Sequence, residues 1–167
     1  MMESFIEDET GALMVDFNIS KLLGEDGVTL TGYIIGKITK NQRQGGIFTF
    51  EGTDNTASSE ITVKEPTEIV PTATTIADIN AGQVADVTSK FISLENVNVK
   101  YEDNGWSADI SLVDGDQELY VNDAMFVLPQ DMSVIEKFNK ISGIVTYGYY
   151  GLEFIPYGAY DLSLIHI

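Results

Sequence analysis

The chain of 167 residues carries 26 acidic and 9 basic side chains, a net charge of −17, with no cysteine and a single histidine. Thiolate metal sites, disulfides and cysteine nucleophiles are therefore excluded, and a triad or zinc site built on histidine has only His166 to draw on. Electrostatic capture of a phosphate backbone gains its affinity from counterions released by Lys and Arg, and this balance of charge disfavours it.

Length allows one ordinary domain or two small ones, and 44% hydrophobic residues suffice for real cores despite the acidity. No apolar run approaches the roughly 20 residues of a membrane-spanning helix. Residues 1–20 carry acids and no base, the opposite of a secretory leader's first segment.

Taken in chain order, strand signals dominate. Phe5 to Val15 reads as a hairpin around an acidic turn with Gly11. A chain opening in mid-hairpin leads us to expect a first module without its opening strand. Gly27 to Ile38 is β-branched and punctuated by glycine, and Ile47 to Phe50 follows a polar turn over Asn41–Gly46. Thr53 to Pro71 is rich in Thr, Ser, Glu and Pro and reads as the core of a linker, with one further turn of helix over Thr75–Asn80.

Ile92 to Tyr101 alternates apolar and polar residues, with a β-bulge expected near Asn96. Asp103-Asn104-Gly105 and Asp114-Gly115 are favoured hairpin turns, leading into strands at Trp106–Leu112 and Glu118–Val121. Asp131 to Asn139 fits one short helix, with Val134, Ile135 and Phe138 on one side.

Three blocks recur in the same order a little over a hundred residues apart. Phe5–Val15 matches Ile110–Val121, Leu30–Ile35 matches Ile141–Thr146, and Gly46–Phe50 matches Gly151–Ile155. Two modules follow from this, and we expect the boundaries 1–52 for the incomplete one, 53–80 for the linker and 81–161 for the complete one.

The repeated order of Asp8-Glu9-Thr10-Gly11-Ala12 with Thr31-Gly32, and of Asp114-Gly115 with Ser142-Gly143-Ile144-Val145 and Gly151–Pro156, resembles the tandem OB-fold-like modules of secreted and surface-lipoprotein bacterial proteins. The resemblance covers nearly the whole chain short of Leu162. It implies an all-β fold: two tandem OB-like Greek-key barrels, the first truncated at its N-terminal side, with one short helix in the second. It also implies display outside the cytoplasm, no catalytic residues and no cofactor. Relatives of this kind are often described as nucleic-acid binding, and the scarcity of basic residues here departs from that pattern.

The final six residues, Leu162–Ile167, match one translated frame of the transposon mosaic-end adapter used in sequencing libraries. A non-native tail is the expectation for 162–167; a genuine last strand is the alternative.

For the site, aromatic residues are the better clue. Tyr149 and Tyr150 fall in the loop that joins the last two strands of an OB barrel, and Trp106 falls beside the loop joining its first two. Exposed rings there would stack on a sugar, a base or a peptide; packing at the barrel end is the plainer role. Lys37, Lys40 and Arg43 form the one basic concentration and serve the alternative of a single-stranded nucleic-acid-binding accessory domain of a nuclease-type protein. The acids Glu7-Asp8-Glu9 and Asp114, Asp116 and Glu118 fit no Ca²⁺ loop motif and read as solvated hairpin residues, so no metal site is expected. Gly32 and Gly143, inside strands, read as bend points rather than ligand contacts.

These readings converge on a non-catalytic binding or spacer module, meeting a glycan or a protein.

Overall fold

The computed structural model describes residues 4–8, 11–15, 35–42, 45–54, 70–105, 107–123 and 127–164. Ten strands appear among them: β1 (Ser4–Asp8), β2 (Gly11–Val15), β3 (Ile35–Asn41), β4 (Ile47–Asp54), β5 (Thr72–Ala73), β6 (Phe91–Asp103), β7 (Ala108–Asp114), β8 (Gln117–Val121), β9 (Ile135–Gly148) and β10 (Gly151–Leu164). Two short helices, α1 (Ile76–Ala81) and α2 (Val84–Val87), lie between β5 and β6. The protein is all-β, and no described helix is long and apolar enough to cross a membrane.

β6 to β10 close into a five-stranded barrel. Around it the strands run β6-β7-β8-β10-β9, and β9 pairs back onto β6 to remove the free edges. Every pairing is antiparallel except β8 with β10, where Tyr120 lies beside Glu153 and Val121 beside Phe154. That single parallel contact gives the barrel its Greek-key connection, because β9 must be inserted between β10 and β6.

Local chemistry explains the turns. Gly105 and Gly115 both have positive φ, 77° and 62°, which a side chain would oppose. The Asp103 carboxylate also accepts a hydrogen bond from the Gly105 N–H at 2.7 Å, fixing the β6–β7 loop.

β9 departs from the sequence reading. Met132–Val134 forms a single 3₁₀ turn, capped by Asp131, and from Ile135 the chain is strand instead of helix. Ile135, Phe138 and Ile141 are all buried, a spacing of three that alternation cannot produce. Bulges produce it: opposite β10 the ladder skips Asn139 and Glu136, so each apolar residue is carried back to the inner face. A bulged strand therefore imitates the apolar spacing of a helix. Near Asn96 the β6–β9 ladder advances two residues on each strand, from Glu95–Lys140 to Val97–Phe138, so no extra residue marks the bulge expected there; Asn96 instead takes a φ of +56°.

The core is filled by Leu94, Val97, Leu112, Leu119, Phe138, Ile141, Val145 and Phe154, among others. Burying side chains of this size contributes about 1.5–3 kcal/mol each. Tyr160 meets Phe138 edge to face at 5.7 Å, so this tyrosine packs on the core. Gly143 is buried where the Phe154 ring and the Ile155 carbonyl approach; a Cβ there would come within 2.5 Å and 2.3 Å of them. Gly32 lies outside the described residues.

From Thr72 the expected linker joins the barrel. β5 pairs in parallel with β6, and α1 buries Ile76 and Ile79 in the core. Thr75 caps α1 by accepting from the Asp78 N–H, and Asn80 donates to the Gln117 side chain and the Glu118 carbonyl, seating the helix on the β7–β8 hairpin.

Strands β1 to β4 form a separate four-stranded sheet ordered β1-β2-β4-β3. Its pairings are antiparallel, parallel, antiparallel, the same sequence as β7-β8-β10-β9. It therefore repeats the barrel's path without a counterpart of β6 among the described residues. The ladders equate Phe50 with Phe154 and Thr49 with Glu153, one position off the Gly46–Gly151 match, because the β3–β4 turn is longer than the β9–β10 turn. That longer turn rests on the barrel: a Cβ on Gly45 would fall 2.6 Å from the Tyr147 ring. At the other terminus β10 continues through Leu164, with Leu162 paired to Phe138 and Leu164 to Ile135.

Candidate functional site

Strand polarity places two connections at opposite ends of the barrel. β8 runs parallel to β10 and antiparallel to β7, so the start of β10 lies with the start of β8 and the end of β7, and the start of β7 lies with the end of β8. The β9–β10 turn therefore opens at the end that carries the β7–β8 hairpin, and the β6–β7 connection opens at the other. The β9–β10 turn consists of Tyr149 and Tyr150 between the paired residues Gly148 and Gly151.

Three tyrosines run from the sheet onto this turn. Leu119 and Val121 point inward from β8, which leaves Tyr120 between them on the outer face. The Tyr150 ring lies over Tyr120 with centroids 4.2 Å apart, and Tyr149 meets Tyr150 at 5.1 Å and 86°. Tyr149 is 93% exposed and Tyr150 55%. Tyr120 in turn donates its hydroxyl to Asp109 at 3.4 Å. Burial, and then the negative charge of Asp109, hold the Tyr120 phenol above its ordinary pKa, so it stays a donor through the physiological range.

Beneath the turn sits Glu153, 3% exposed. Its carboxylate accepts from the Asn122 amide at 3.0 Å and from the Tyr150 backbone N–H at 3.1 Å. Gly148 makes room for it, since a Cβ at 148 would meet the carboxylate at 2.3–2.4 Å. A buried carboxylate is tolerated only when hydrogen-bonded, and here the bonding also fixes the turn.

The outer face of β6, β7 and β8 is acidic. Lys100 lies between Glu102 and Glu118, 3.1 Å from each. Hydrogen bonding to Glu118, then to Glu102, raises the Lys100 pKa, and the bond from Lys100 lowers that of Glu118. With all three side chains about half exposed, the cluster contributes little to stability. Its effect on the surface is to neutralise the one lysine there. Among the described residues no group of three or more acidic or histidine side chains is arranged to hold a metal ion.

Of the residues singled out in the sequence, Tyr149 and Tyr150 lie in the expected turn, and Trp106 lies outside the described residues. Arg43 also lies outside them. Lys37 and Lys40 are three positions apart on a regular stretch of the β3–β4 ladder, an odd separation that puts them at opposite parity along the strand. The Lys40 ammonium sits 5.9 Å from the centroid of the Phe48 ring. Tyr157 packs edge to face on Phe91 at 5.9 Å.

Tyr120, Asp109, Asn122 and Glu153 were not marked by the sequence reading. Tyr120 was within reach: an aromatic residue at the solvent parity of a half-buried strand, between Leu119 and Val121. The other three become visible only once β8 is placed beside β10.

The chain matches no protein-family model, no curated protein and no solved structure.

Proposed function

We propose that this chain is a non-catalytic binding or spacer module of an extracytoplasmic bacterial protein, and that its β9–β10 turn meets a glycan or a protein partner. The observation that carries the proposal is the Tyr120–Tyr150–Tyr149 run. Tyr149 is left almost wholly in water, while the ring beside it is stacked and its backbone tied to Glu153. An ordered, exposed ring is a stacking platform obtained at low entropic cost, each aromatic contact adding roughly 0.5–1.5 kcal/mol beyond area. Asp109 and Asn122 flank it as polar groups able to orient a ligand. Display at the cell surface, and lipoprotein attachment of a parent protein, follow from the resemblance to tandem OB-like modules.

The alternative of a single-stranded nucleic-acid-binding domain would rely on Lys37, Lys40 and Arg43. The charge of −17 opposes it.

A glycan and protein array probed with the native chain, Tyr149→Ala and Trp106→Ala tests the proposal. Binding at least tenfold weaker in the Tyr149 variant is expected. Binding unchanged in both variants would remove the aromatic site. Tight, salt-sensitive oligonucleotide binding, lost on substituting Lys37, Lys40 and Arg43, would favour the alternative instead.

A further inference from the structure

We infer that the corner between Tyr149 and Tyr150 receives a cation, the side chain of a lysine or arginine in an extended segment of a protein partner. The inference rests on the reading of this turn as the binding surface and narrows it to one class of occupant.

Geometry gives the first argument. The two rings meet edge to face, 86° apart at 5.1 Å, and both are exposed, Tyr149 by 93% and Tyr150 by 55%. An aromatic face is the negative part of the ring's quadrupole, and an ammonium or guanidinium within about 6 Å of the centroid is attracted to it. Tyr150 cannot swing away freely, because its ring is stacked on Tyr120 and its N–H is bound by Glu153. Tyr150 is thus held in place before a ligand arrives.

Charge complementarity gives the second argument and selects among ligands. Beyond Tyr120 the surface continues with Asp109, Glu102 and Glu118, and its one lysine, Lys100, is shared between the two glutamates. An anionic glycan or a nucleic acid meets repulsion here. A neutral glycan gains nothing from the field. A basic segment is attracted both by the local carboxylates and by the net charge of −17, which also speeds its encounter. Stacking alone leaves glycan and protein equal; the field favours the protein.

The carboxylates by themselves would attract any polycation, so the test must separate the rings from the charge. Isothermal titration of the full chain at physiological salt would use a lysine-rich heptapeptide and the same peptide with every lysine acetylated. A set of neutral oligosaccharides and a single-stranded oligonucleotide would be titrated alongside. The lysine peptide should bind, and acetylation should weaken it at least tenfold. Tyr149→Leu preserves charge and most apolar area but removes the π face; it should weaken the lysine peptide about threefold, the size of one exposed cation–π contact. Tyr149→Leu combined with Tyr150→Leu should weaken it further, with the unfolding midpoint of each variant measured in parallel.

Equal affinity of native chain and Tyr149→Leu for the lysine peptide would reduce the attraction to long-range charge and overturn the inference. Oligosaccharide binding lost in Tyr149→Ala, with the lysine peptide indifferent, would overturn it and leave the binding-surface reading standing. Oligonucleotide binding that ignores both tyrosines, with no peptide or sugar bound, would overturn both.

Discussion

The Glu153 carboxylate accepts a hydrogen bond from the backbone N–H of Tyr150, so a buried acid on β10 holds the turn that presents the exposed rings. The site is thus built from the barrel outward. The parallel contact of β8 with β10 brings Glu153 beside Tyr120, and the same contact lets Tyr150 stack on Tyr120.

This relationship makes Gly148 and Glu153 sensitive positions. A methyl group at 148 would meet the Glu153 carboxylate at 2.3–2.4 Å, and the carboxylate cannot leave without abandoning two bonds. Gly148→Ala is expected to destabilise the protein by about 1–3 kcal/mol. Glu153→Gln offers one acceptor and one donor where two acceptors are needed, and should cost about 1–2 kcal/mol. Denaturant unfolding of both variants measures this; Gly11→Ala, where nothing lies within 4 Å, serves as the neutral comparison.

Gly143→Ala should be more damaging. The added carbon would press on the Ile155 carbonyl, which is backbone, and on the buried Phe154 ring. A loss of about 3 kcal/mol is expected, by the cost of overpacking a tight core. An unfolding midpoint equal to that of the native chain would show that β9 and β10 do not approach as closely as described.

The left-handed backbone at Asn96 can be tested by what it tolerates. With φ at +56°, Asn96→Val should cost about 1–2 kcal/mol, whereas Asn96→Gly should be close to neutral. Equal losses in the two variants would argue against a left-handed residue there.

Much of this architecture was legible in the sequence, because turns and alternation are local signals. Asp103-Asn104-Gly105 and Asp114-Gly115 announce the hairpins that the positive φ of Gly105 and Gly115 confirm. The repeat of Phe5–Val15 in Ile110–Val121 foretold two sheets with one path, since β1 and β2 take the same places as β7 and β8. Ile135 and Phe138 misled for a physical reason: two bulges give a strand the apolar spacing of a helix. In the site, Tyr149 and Tyr150 could be read from their place beside the glycines of a turn. Asn122 and Glu153 could not, because they meet across 31 residues through a parallel strand pair that no local signal specifies.

Stability should depend on pH through Lys100 and Glu118. The Glu118 pKa is lowered in the folded state, so its contribution is present above the ordinary carboxylate range and lost as pH falls through the lowered value. The Lys100 pKa is raised, so its contribution is present below the ordinary lysine range and lost as pH rises through the raised value. Lys100→Gln should therefore lower the unfolding midpoint slightly across neutral pH, and the difference from the native chain should shrink below about pH 4. A difference that stays constant down to pH 2 would show that the ion pair is not its source.

The most direct test of the proposed binding face is amide chemical-shift mapping of the isotopically labelled chain, titrated with the lysine-rich heptapeptide and with neutral oligosaccharides. The account predicts shifts concentrated at Gly148, Tyr149, Tyr150 and Gly151 and reaching Tyr120 and Asp109. Shifts confined to β3 and the turn after it, around Lys37 and Lys40, with the β9–β10 turn unmoved, would contradict it.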